Sequence, residues 1–108
     1  MITMSWEDIL KRFEIKGETY QEIVEEVIGN EEMTGWVVST LFRLFNEAEA
    51  HNDTIDPEDI QAVEKLRNEI SANRELYPNF TNRNQKRLNV LINMMKGHDR
   101  KMRRWLNE

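Results

Sequence analysis

The sequence reads as all-α: a compact bundle of four to five helices with antiparallel neighbours, closed by a long basic amphipathic C-terminal helix. Three observations carry that reading. Apolar residues recur at helical spacing along the whole chain, no stretch alternates with the period of two that a half-buried strand needs, and Gly, Pro and N-capping residues fall between the stripes. The 108 residues have the length of a single domain, and 39% apolar residues suffice for one modest core.

Ser5 and Asp8 have capping-box spacing, with Asp where Glu or Gln is usual. Trp6, Ile9, Leu10 and Phe13 then follow at i, i+3, i+4 and i+7, and Gly17 ends this first segment. Thr19 and Glu22 repeat the box in its standard form. Tyr20, Ile23, Val24, Val27 and Ile28 make the next stripe and Gly29-Asn30 stops it, which predicts a helix over 20–28. From Met33 to Ala50 the apolar residues are Trp36, Val37, Val38, Leu41, Phe42, Leu44 and Phe45, with Ala48 and Ala50 following. They cover more than half of a helical circumference, which predicts the central helix of the bundle, packed on several sides. Val37-Val38 alone would suit a strand, but the length and the lack of alternation favour a helix.

Residues 51–55 form a polar connection. Asp56-Pro57-Glu58-Asp59 is a helix start, with Asp as N-cap, Pro in the first position and acids near the positive end of the dipole. Ile60, Val63, Leu66, Ile70 and Tyr77 are expected on its buried side, Pro78 bars continuation, and 79–82 form a loop. Thr81 caps the last helix. Its stripe is Leu88, Leu91, Ile92, Met95, His98, Met102, Trp105 and Leu106, widened by Val90 and Met94, with Gly97 a soft point where it can bend.

The net charge of −5 hides a division within the single domain 1–108. The acidic body, residues 1–80, carries 18 Asp and Glu against 7 Lys and Arg; residues 81–108 carry 8 Lys and Arg against Asp99 and Glu108. Either the basic helix folds back onto the acidic body or one end meets a charged partner.

Several classes of chemistry fall away. The absence of cysteine excludes disulfides, thiolate nucleophiles and thiolate metal sites. The opening residues lack an apolar signal-like stretch, and no run approaches the ~18 apolar residues of a membrane span, so a cytoplasmic setting is expected. His51 and His98 have neither a Cys nor a Gly-x-Ser-x-Gly elbow beside them. His98 lies on the apolar stripe as a core or interface histidine, and His51 suits a helix C-terminus. Asp53, Asp56, Glu58 and Asp59 are an acid cluster beside His51. Counted from Asp53 as a calcium loop, however, the sixth position is Glu58 instead of Gly, and Pro57 commits the chain to a helix. No catalytic residue, metal or cofactor is assigned.

Two resemblances bear on function. Glu22-x-x-Glu25-Glu26 is similar to the first half of the paired-acid pattern of MazG-type nucleoside-triphosphate pyrophosphohydrolases, all-α enzymes that use metal-dependent acids on adjacent helices. Asp53-x-x-Asp56 is nearest to the second half but falls in a loop and at an N-cap, so it departs from that family's pattern. Ser5-Trp6-Glu7-Asp8-Ile9-Leu10-Lys11 resembles the opening of many small uncharacterised phage and environmental prokaryotic proteins. That resemblance implies an accessory protein, in a host cytoplasm or virion-associated, and no activity; Met4 is then an alternative start. Residues 19–39 also have the outline of a helix-turn-helix, but Glu31-Glu32 would face phosphates, so an ordinary helical hairpin is the better reading.

The cations point elsewhere. Lys96, Arg100, Lys101, Arg103 and Arg104 gather with Trp105 on the last turns of the final helix, and Arg83, Lys86 and Arg87 form a second cluster at its start. The expected function is a small non-catalytic helical protein-interaction module (adaptor, inhibitor or assembly component) contacting its partner through the first group. Binding of nucleic acid through residues 83–104 is the alternative, followed by acidic mimicry of nucleic acid and the pyrophosphohydrolase. Self-association through the final stripe is compatible with either of the first two.

Overall fold

The structure, a computed structural model, describes residues 15–107. It is an all-α bundle: α1 (Tyr20–Val27), α2 (Trp36–Ala50), α3 (Pro57–Ala72), a 3-10 turn (Arg74–Leu76) and α4 (Asn82–Leu106), with no strand among the described residues. The segment expected over Trp6–Phe13 lies outside the described residues.

Local chemistry explains the helix boundaries. The Thr19 hydroxyl accepts the Glu22 N–H at 3.1 Å, as the expected box requires, and the Glu22 carboxylate turns back to accept from that hydroxyl at 3.2 Å instead of from the Thr19 N–H. Past the end of α1, Gly29 takes φ +83, the left-handed conformation that a glycine adopts without strain. Asp56 occupies the N-cap of α3 without a side-chain bond; Pro57 and the acids Glu58 and Asp59 define that start. Thr81 caps α4 by accepting the Asn84 N–H at 3.2 Å.

The helices form a four-cornered arrangement. α1 packs on α2 and α3, α4 packs on the same two, and α1 and α4 occupy opposite corners, as do α2 and α3. Side-chain pairs give the directions. Gln85 to Ser71 and Lys96 to Glu64 run α3 antiparallel to α4, whereas Arg87 to Ser39 and His98 against Phe45 run α2 parallel to α4. Antiparallel packing thus joins the consecutive pair α3 and α4. The non-consecutive pair α2 and α4 is free of that constraint.

Two expectations are corrected. α2 is a wall of the bundle, not its centre: Val37, Val38, Leu41 and Phe45 are buried as one stripe, Phe42 and Leu44 are half-buried, and Trp36 is exposed. Among the described helices only α1 and α4 lie beside it, and they cover one face. On α4, Leu88, Leu91, Ile92, Met95, His98 and Met102 are buried as expected, but Val90, Met94, Trp105 and Leu106 are exposed. The helix runs through Gly97 without a break.

The connection into α4 carries more of the core than its sequence suggests. α3 stops at Ala72, so Tyr77 enters the core from the following turn, and Phe80 is buried beside it. The Tyr77 hydroxyl accepts the Gly29 N–H at 2.8 Å, tying the loop after α1 to the turn before α4. The Asn84 amide lies against Gly35, in the space a Cβ there would take.

Candidate functional site

α4 docks by its apolar stripe, and that decides where its charges go. Three of its cations are engaged. Lys96 reaches Glu64 on α3 at 3.3 Å, and Arg103 meets Asp99 one turn back at 3.1 Å. Arg87 is turned inward: it donates to the Ser39 hydroxyl at 3.1 Å and lies over the Phe42 ring at 5.8 Å. Arg83, Lys86, Arg100, Lys101 and Arg104 are exposed and enter no ion pair among the described residues. The charge asymmetry of the sequence therefore persists on the surface.

These five define the side of α4 turned away from the bundle. Arg83 and Arg104 are 21 residues apart, about 31 Å along the helix at 1.5 Å per residue. Between them the same side shows Asn89, Val90, Asn93 and Met94, all exposed, and Gly97, where a Cβ would meet nothing within 4 Å. The only acid within α4 is Asp99, half-buried and paired.

At the end of α4 a surface pocket of about 340 Å³ is lined by Asn52, Lys101, Met102, Arg104 and Trp105. Three expected contact residues, Lys101, Arg104 and Trp105, meet there. Asn52 and Met102 complete the lining. Asn52, in the turn after α2 with φ +53, carried no signal in the sequence beyond its polar surroundings. Arg83 and Lys86 stand at the opposite end of the helix, and Arg87 does not belong to the exposed surface.

The histidines are structural. His98 is buried, its Nε2 lies 2.7 Å from the Asp53 carbonyl oxygen, and its ring meets Phe45 edge-on with centroids 5.9 Å apart. His51 Nδ1 lies 2.8 Å from the Glu47 carbonyl oxygen at the end of α2. The acids of the pyrophosphohydrolase-like pattern serve local structure in part. Glu22 belongs to the α1 cap, and the Glu26 carboxylate accepts the backbone N–H groups of Lys16 and Gly17, each at 2.9 Å. Glu25, Asp53 and Asp56 are exposed, and no three His, Asp or Glu residues among those described gather as a metal site. Burial, and then the charge of nearby Asp59, push the Tyr20 hydroxyl well above the usual tyrosine range, so it stays neutral.

No described helix is long and apolar enough to cross a membrane. Comparison of the chain with protein-family models, with curated proteins and with solved structures finds no match in any of the three.

Proposed function

We propose that this protein is a non-catalytic interaction module that presents the outer face of α4 to an acidic protein partner. One observation carries the reading: five cations outside any described ion pair share a helix surface with the exposed apolar side chains Val90, Met94 and Trp105. Cations alone suit any polyanion. Exposed apolar side chains among them add affinity for a partner with apolar surface of its own, which the phosphate-lined outside of a duplex does not offer. An adaptor, inhibitor or assembly component of a phage or prokaryotic cell fits this description.

The second reading is nucleic-acid binding. It is favoured by Asn82, Asn89 and Asn93 beside the cations, on a helix whose one acid is already paired.

Fluorescence anisotropy separates the two. A labelled duplex oligonucleotide and a labelled amphipathic peptide of Glu and Leu are each titrated with the protein, at about 50 and about 150 mM salt. The peptide is expected to bind at both salts. Duplex binding through five phosphate contacts should fall roughly a hundredfold between them. Changing Arg100, Lys101, Arg103 and Arg104 together to Ala should weaken the peptide at least about tenfold. A duplex bound more tightly than the peptide at the higher salt overturns the proposal in favour of nucleic acid, and binding of neither rejects this face as a surface for anions.

A further inference from the structure

We infer that the pocket beside Trp105 is the anchor point of that acidic partner, and that it receives one aromatic side chain flanked by carboxylates. The inference rests on the proposed role of α4 and names the chemistry of the segment that docks there. Its basis is the way α4 ends. Gln85 pairs with Ser71 and Lys96 with Glu64, a register that brings the first residues of α3 level with Met102. The turn after α2 reaches α4 one helical turn before Met102, through the bond of His98 to the Asp53 carbonyl. Beyond this level α4 continues without a helical neighbour among the described residues, and Trp105 is left 61% exposed although it sits on the apolar stripe.

The resulting hollow has a floor, two walls and a charged rim. Met102, only 2% exposed, provides a polarisable floor of the kind that favours aromatic rings. Trp105 is one wall and Asn52 the other. The Asn52 turn is held in place because the next residue, Asp53, is bonded to the buried His98, so the pocket exists before any ligand arrives. Lys101 and Arg104, one turn apart, form the rim. Neither has an ion-pair partner among the described residues, whereas Arg103, the other cation of the last turn, is held by Asp99.

An apolar hollow of about 340 Å³ lies at the small end of ligand pockets and suits a single anchoring side chain. The Trp105 ring and the Arg104 guanidinium both favour a flat aromatic face. The two cations select acidic residues next to it and penalise basic ones.

The test uses the full chain, labelled with nitrogen-15, and three capped peptides: Asp-Glu-Phe-Glu-Asp, the same with Ala for Phe, and Lys-Lys-Phe-Lys-Lys. The readout is the indole N–H resonance of Trp105, assigned by its loss in Trp105→Phe. The acidic aromatic peptide is expected to shift it saturably. The Ala peptide and the basic peptide should bind at least about tenfold more weakly, as should the acidic aromatic peptide to a Lys101→Gln/Arg104→Gln variant. Both substitutions are at exposed positions, and an unchanged melting temperature verifies the fold of the variant. An absent or unsaturable shift, equal binding of the Ala peptide, or undiminished binding to the double variant each overturns the inference. If the Glu-Leu peptide binds the outer face of α4 while Trp105 does not respond here, the pocket assignment falls and the interaction module stands. If neither binds, both fall.

Discussion

The two ends of α4 are written in the same residue types and are held very differently. At its start, Thr81 caps the first turn, Asn82 accepts from Arg74 at 2.9 Å, Gln85 bonds Ser71, Asn84 abuts Gly35 and Arg87 reaches Ser39 and Phe42. At its end, beyond Met102, the Arg103–Asp99 pair within the helix is the one side-chain hydrogen bond or ion pair among the described residues, and Trp105 and Leu106 are exposed. Length explains the contrast. α4 has 25 residues, about 37 Å, whereas α2 and α3 have 15 and 16, about 22 to 24 Å. Periodicity decides which side of a helix is apolar. The reach of its neighbours decides how much of that side is covered.

Leu88 and Leu106 make the contrast exact in chemistry, since 18 residues are five full turns and place both on the same line of the helix. Leu88 is fully buried and Leu106 is 66% exposed. Leu88→Ala is the largest effect expected: a loss of about 2–5 kcal/mol, from lost transfer energy and the cavity left behind, read by chemical denaturation. A loss below about 1 kcal/mol would break the comparison, because the start of α4 would then not be docked as described.

Smaller effects sharpen it. Tyr77→Phe removes the acceptor of the Gly29 N–H on the well-held side and should cost about 1 kcal/mol. Thr81→Ala should cost a similar amount by uncapping α4, with the loss confined to its first turns. Amide hydrogen exchange reads the same asymmetry without mutation. Residues 88–98 should exchange near the rate of global unfolding, and residues 103–106 orders of magnitude faster. Equal protection along the helix would contradict an unsupported end.

What could be read from the sequence follows the same division. The Thr19 and Thr81 caps, the α1 stripe and the buried line from Leu88 to Met102 depend on residues a few positions apart, and periodicity and capping chemistry locate them directly. Tyr77 and Phe80 were harder. A 3-10 turn after Ala72 re-aims the chain, so Tyr77 reaches the core without belonging to α3, and no periodicity extends to Phe80. The basic residues looked alike in sequence and separate in space. Lys96 and Arg87 find partners 32 and 48 positions away, in Glu64 and Ser39, and no local pattern announces those. The Arg103–Asp99 pair, at i and i+4, has a spacing that local pattern could supply, yet Arg103 was expected among the partner contacts. The pocket depends on where α2 and α3 stop relative to α4, so Asn52 emerges as a wall only once the helices are placed together.

The smallest expected effect tests the overhang itself. Leu106→Ala should change stability by less than about 0.5 kcal/mol, the range for substitutions at exposed positions, although it deletes the same atoms from the same apolar line as Leu88→Ala. Because the two sites are far apart and share no neighbours, the double variant should lose the sum of the two. Measuring Leu106→Ala at several protein concentrations adds a second discrimination. A loss above about 1 kcal/mol that grows with concentration would mean that a second copy covers the end of α4 in solution, since only binding by a partner makes stability depend on concentration. A small loss at every concentration would mean that this end stands uncovered in the isolated protein, leaving the hollow between Met102 and Trp105 open to a partner.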